Sequence, residues 1–179
     1  MSRIVELLKQ DPLRVQIIDA VCALNLPQCY VAAGFVRNMV WDHLHGYTEP
    51  TNLNDIDVIY FKPDEAAHEN AKSHQSILKR RMPTMNWQVR NQAVMHTRNG
   101  DEPYNSTLDA MGFWPEKETA IAVRKIEEGE YEVVSAFGTE SLWQLQVTYN
   151  PRRLLTVFEQ RVTSKKWLTC WPKLQVITT

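Results

Sequence analysis

Apolar positions along the chain keep two rhythms. Ile17, Ile18, Val21, Cys22 and Leu24 recur at helical spacing and make one face. The pattern predicts helices over 3–10 and 12–25, with Asp11 as N-cap, Pro12 at the first helical position and Pro27 ending the pair. An unbroken apolar run, Cys29-Tyr30-Val31-Ala32-Ala33, predicts a strand. Gly34 follows, then a helix from Val36 to Leu44 that ends near Gly46. After the polar loop 47–54, Asp55 to Phe61 is rich in β-branched and aromatic residues and reads as a second strand. Pro63 opens a long polar helix to about Arg81, with Asp64 and Glu65 in the first turn, where the helix dipole favours acids.

A third strand is predicted over Trp87–Asn91, a helical turn over 91–96, a loop over 97–105, and a short helix over 106–112 with Ser106 near its N-cap. Residues 119–126 and 131–136 flank Glu127-Glu128-Gly129-Glu130 and predict a β-hairpin. Helices follow over 139–145 and 152–167, and the tail from Cys170 reads as irregular. The order is a helix pair, β-α-β-α-β, a hairpin, then helices. That is a mixed α/β, or α+β, arrangement. It divides as N-terminal helices 1–27, a core 28–136 and a helical segment 137–179 of one domain.

Composition changes this picture little. The 179 residues are 44% apolar and 23% charged, ordinary for a folded globular chain. A formal net charge of -1 leaves no global positive field for nucleic acid. The three cysteines, Cys22, Cys29 and Cys170, form no CxxC pair and read as free thiols of a reducing compartment. With no leader-like start and no apolar run of membrane-spanning length, the expectation is a cytoplasmic protein that does not cross a membrane.

The second strand poses the chemical question. Asp55 and Asp57 are two apart, so on a strand their carboxylates aim at one place. Buried carboxylates that close need a positive partner, and oxygen ligands favour Mg²⁺ or Mn²⁺. The plainer reading leaves Asp55 in the loop, with only Asp57 on the strand. Upstream, Gly34 marks a strand-to-helix junction, where free N–H groups at a helix start cradle phosphate. Arg37 lies in that first turn, where a cation opposes the dipole unless an anion is near.

The two stretches together resemble the head of the CCA-adding enzymes, within the polymerase β-like nucleotidyltransferase superfamily. The matching residues are Ala33, Gly34, Phe35, Val36, Arg37 and Asn38, followed by Asp55 and Asp57. Further pieces are similar to a family of small bacterial nucleotidyltransferase-like proteins of unassigned substrate. These are Trp41-Asp42, His45-Gly46, Trp87, Val89 to Ala93, Met95-His96, Trp114-Pro115-Glu116, Phe137-Gly138, Lys165, Trp167 and Trp171-Pro172. The resemblance implies a polymerase β-like core with a mixed sheet. It implies metal-dependent transfer of a nucleotidyl group from an NTP to an acceptor hydroxyl, the acceptor being a small molecule, RNA or protein. Asp55 and Asp57 would be the catalytic metal ligands. Gly34, Phe35, Arg37, Asn38, Arg90, Asn91 and Gln92 would bind the nucleotide, and His96 would orient the acceptor.

The chain departs from the pattern at two places. A third acid is expected from the strand 87–91, and its candidate position holds Gln88, which cannot act as a base. Lys62 also stands where an acid is expected, so either Glu132 or Asp109 supplies the third acid or two acids suffice. The alternative is a nucleotide- or partner-binding module without turnover. Arg161, Lys165, Lys166 and Lys173 make an acid-free basic run, read as a solvated face or a contact for phosphates, and Trp167 and Trp171 read as core plugs.

Overall fold

The computed structural model describes residues 2–65 and 69–178. Helices α1 (Ser2–Lys9) and α2 (Pro12–Cys22) come first, and the Asp11 side chain caps α2 by accepting from the Arg14 N–H. Strand β1 (Tyr30–Ala32) leads into α3 (Gly34–His45), and β2 (Ile56–Tyr60) follows the polar loop. Helix α4 (Glu69–Arg81) then crosses to β3 (Trp87–Asn91). After a 3-10 turn come α5 (Met95–Asn99), α6 (Thr107–Met111), and the hairpin β4 (Ile121–Glu127) with β5 (Glu130–Ser135). The chain ends in α7 (Glu140–Trp143), β6 (Gln146–Thr148), α8 (Leu155–Ser164), α9 (Trp167–Cys170) and β7 (Gln175–Ile177).

The main sheet has the order β3-β2-β1-β4-β5. Only β2 and β3 run parallel, joined by the crossover helix α4, and the other neighbours are antiparallel. The expected mixed sheet is therefore present. Its two faces differ. One face carries Val31, Ile56, Val58, Tyr60, Trp87, Val89, Ile121 and Val123, and α1–α4 pack on it to form the larger core. The other carries small residues, Ala32, Ala33, Ala120 and Ala122, with Tyr30, Ile59 and Met111. Small side chains leave that second face open enough for a cavity.

Several expected elements differ. Strand β2 begins at Ile56, so Asp55 is the last loop residue and not part of the strand. Pro63 and Asp64 form a turn, and Glu65 is buried, accepting the Tyr60 hydroxyl rather than facing solvent on a helix. The expected start of the helix at 66–68 lies outside the described residues. The 97–105 loop is shorter than expected, because α5 runs on to Asn99. The expected 152–167 helix breaks where Lys166 takes the left-handed conformation at φ 53°. That break turns Trp167 and Trp171 inward onto Trp41, with ring centroids 6.1 and 5.2 Å away. The tail is also ordered, since β7 pairs in parallel with β6 as a separate two-stranded sheet.

Candidate functional site

The acid of β2, Asp57, stands on the open face of the sheet, not in the core. Ile56 and Val58 point into the larger core, and Asp57 and Ile59 point the other way. Asp57 and Ile59 line a cavity of about 820 Å³, together with Asp55 from the loop just before the strand. A strand that buries one face can carry acids because its other face opens to this space. Asp55 is exposed and accepts from Asn86 Nδ2 at 2.6 Å. Burial, and then the charge of Asp55, push the Asp57 carboxyl above its ordinary value, against the pull of Arg90, Arg37 and Lys165.

The opposite wall is the start of α3. The residue with unusual backbone there is Ala33, at φ 59° and ψ -123°, and not Gly34. A side chain rarely adopts that conformation, so the junction stores strain of about 1–3 kcal/mol beside the cavity. Gly34 has another use. A Cβ there would sit 3.4 Å from Arg37 Nη2 and 3.5 Å from Asn38 Nδ2, in the space these groups fill over the helix start.

Arg37 is buried and held on every side. Its Nη1 donates to Thr119 Oγ1 at 2.5 Å, and its Nε and Nη2 donate to Asn38 Oδ1 at 3.2 and 3.1 Å. The guanidinium lies 4.8 Å from the Trp41 ring and 4.6 Å from the Trp167 ring. Burial lowers its pKa to about 10, so it stays charged at neutral pH.

On β3, Gln88 and Arg90 face the cavity, and Arg90 Nη2 donates to Gln88 Oε1 at 3.1 Å. Gln92 lines it too. Two predicted nucleotide-binding side chains lie elsewhere. Phe35 is fully buried in the larger core, one helix position away from the cavity face that Gly34, Arg37 and Asn38 share. The Asn91 side chain is buried and engaged with backbone, accepting from the N–H groups of Lys62 and Ala93 and donating to the Lys62 carbonyl. His96 Nδ1 lies 3.0 Å from the Ala93 carbonyl, and the residue does not line the cavity.

The C-terminal segment also reaches the cavity. Arg161, Lys165, Trp167 and Trp171 line the cavity, so part of the basic run faces it. Among the described residues no group of three metal-ligating side chains exists, so Asp55 and Asp57 stand as a pair. Glu132 is tied to Arg124 and Tyr30, and the Asp109 carboxylate accepts from the Asn105 N–H; neither lines the cavity. Lys62 is exposed near Glu65.

A model of a nucleotidyltransferase family matches residues 19–176. The chain belongs to the nucleotidyltransferase family. Among solved structures, this chain is similar to a protein whose NMR structure reveals a CCA-adding enzyme head domain. The TM-score is 0.88 and the identity 30%, over 100% of this chain and 96% of that one. It is also similar to a chain of a tRNA-processing enzyme complex 3 structure, with a TM-score of 0.49 and 17% identity over 85% of this chain and 40% of that one. No curated protein matches the sequence. The polymerase β-like fold, the mixed α+β class and the family resemblance expected from the sequence are all found, and they support nucleotidyl transfer in general. Among the described residues, no helix is long and apolar enough to cross a membrane.

Proposed function

We propose that the cavity binds a nucleoside triphosphate with Mg²⁺ or Mn²⁺ and transfers its nucleotidyl group to an acceptor hydroxyl. The observation that carries this reading is the separation of charge in one space. Asp55 and Asp57 lie on one side, and Arg37, Arg90, Arg161 and Lys165 bring positive charge around them. A bare polyanion would be repelled by the acid pair, and a bare cation by the basic groups. A metal–triphosphate complex satisfies both.

The donor set suits the metal. Mg²⁺ keeps several waters and is commonly held by one or two carboxylates plus substrate phosphates, and Asp55 and Asp57 offer those carboxylates. When bound, the metal would neutralise phosphate charge and favour ionisation of the acceptor hydroxyl. Among the described residues the Gly34 and Phe35 N–H groups at the start of α3 have no hydrogen-bond partner, and they would receive phosphate oxygens. Arg37 still has N–H groups beyond those given to Asn38 and Thr119, and it is rigidly held to present them. Gln88 would orient water or substrate by hydrogen bonding without taking a proton. Asp55 and Asp57 are the acids lining the cavity, so the acceptor proton passes to one of them or to solvent.

Calorimetry with Mg-NTP tests the site. The parent should bind, and the Asp55→Ala/Asp57→Ala double variant should not. Equal affinity would remove the assignment. Gln88, in the place of an acid, favours a second reading in which nucleotide binds without turnover. That reading predicts Mg-NTP binding with no pyrophosphate released across varied acceptors, and release with any acceptor defeats it.

A further inference from the structure

The segment Trp114-Pro115-Glu116 has no part in the roles assigned so far. Glu116 is completely buried, yet it carries a carboxylate. Both of its oxygens go to one partner. Arg161 Nε donates to Oε1 at 2.5 Å, and Arg161 Nη2 donates to Oε2 at 3.2 Å. The backbone that carries it is held in place. The Pro115 carbonyl accepts from the Asn150 N–H at 3.0 Å, the Trp114 carbonyl accepts from Asn150 Nδ2 at 2.8 Å, and Glu116 bridges to Tyr149.

Three residues on, the same turn holds the other arginine. Thr119 Oγ1 accepts from Arg37 Nη1, and the Thr119 N–H donates to the Glu116 carbonyl at 3.2 Å. One short segment therefore fixes two guanidinium groups that reach it from α3 and α8, and both line the cavity. Arg161 Nη1 has no partner among the described residues. The two cations repel: the charge of Arg161 acts to lower the Arg37 pKa, and Glu116 acts to raise it. Two like charges held together beside a cavity are relieved by an anion between them.

We propose that Arg161 is a second phosphate-gripping residue of the cavity and that Glu116 is the positioning residue that sets it. The ligand class is a polyphosphate, the part of an NTP that leaves as pyrophosphate. Arg161 and Arg37 would grip it from two sides, with Glu116 turning the fork of Arg161 so that its remaining N–H groups face the phosphates. This rests on the reading of the cavity as a triphosphate site.

The test uses the full chain, with Mg-NTP and with inorganic triphosphate plus Mg²⁺ as calorimetric probes. Arg161→Gln should weaken triphosphate binding by about tenfold to a hundredfold, the loss of charge-assisted contacts. It also leaves the Glu116 carboxylate buried and unpaired, which by itself can destabilise the chain. The double variant Arg161→Gln/Glu116→Gln removes both charges. Its Tm should recover towards that of the parent while triphosphate binding stays weak. Glu116→Gln alone should weaken binding less than Arg161→Gln, because the cation remains but is no longer aimed. If the double variant regains both stability and parental affinity, Arg161 only tethers α8 and the proposal is overturned. It is overturned alone if the parent binds Mg-NTP but not triphosphate. If the parent binds neither, the proposed function falls with it.

Discussion

Asp57 and Gln88 are register partners across the parallel pair β2–β3, and both face the cavity. A third carboxylate at Gln88 would stand beside Asp57. Gln88→Glu should therefore strengthen Mn²⁺ binding to the nucleotide-free protein, by about tenfold for one added charged ligand. Titration calorimetry reads this directly. An unchanged Mn²⁺ affinity would mean that the ion does not sit against Asp57.

The same acid pair should act against stability while metal is absent. With its carboxyl pushed upward by burial and by Asp55, Asp57 holds a proton more tightly in the folded protein than in the unfolded chain. Stability therefore falls as pH rises from the ordinary aspartate value of about 4 through the raised one. Asp57→Asn should raise the Tm of the metal-free protein, by about 2–4 °C for each kcal/mol relieved in a chain of this size. It should also abolish Mg-NTP binding. A variant that is less stable without metal would contradict this account.

Asp101 works in the opposite sense. It accepts from Arg153 Nη1 at 2.8 Å and Nη2 at 2.5 Å, and from the Tyr104 hydroxyl. Chiefly through the Arg153 hydrogen bonds, its carboxyl is held below the ordinary value. Its stabilisation is present above about pH 4, the unfolded value, and is lost as pH falls through the folded one. At pH 7 Asp101→Asn should cost about 1.5–3 kcal/mol. Denaturant titrations of parent and variant should converge in acid. A gap that stays constant down to pH 3 would refute the linkage.

Asp42 ties the loop before Asp55 to the C-terminal segment. Its carboxylate accepts from Trp171 Nε1 at 2.8 Å, from the Thr51 N–H at 2.9 Å and from the Thr51 hydroxyl at 3.1 Å. Asp42→Ala should destabilise the chain by on the order of 3 kcal/mol, since it strands a buried indole N–H. Hydrogen exchange should quicken over residues 47–54 and around Trp171 before it does in β2. Uniform acceleration along the whole chain would show that Asp42 serves the fold generally and not this loop.

Much of the fold was legible because local rules decide it. Asp11-Pro12 marks the start of α2, and the turn around Gly129 sets the β4–β5 hairpin. Gly46, left-handed at φ 72°, ends α3. The orientation of Phe35 and Asn91 is legible too, from the spacing within the motifs. Gly34, Arg37 and Asn38 repeat at helical intervals that leave Phe35 on the core side. Gln88 and Arg90 alternate with Val89 and Asn91 along β3. The β6–β7 pair was not legible. Each strand has three residues, and the partners lie far apart in sequence, so no local period announces them. The Glu116–Arg161 pair was hidden likewise, because a buried acid on a loop looks like any solvated one until the chain folds back.

The cavity draws on β1–α3, β2, β3, the 114–119 loop and the α8–α9 segment, so its walls come from nearly the full length of the chain. A cut at the Gly138 turn would leave one fragment with Asp57 and Arg37 and another with Arg161 and Trp167. Neither piece would hold the complete cavity. Binding of the proposed triphosphate ligand would return only when the halves reassemble, which would make this protein a split reporter whose ligand affinity registers complementation.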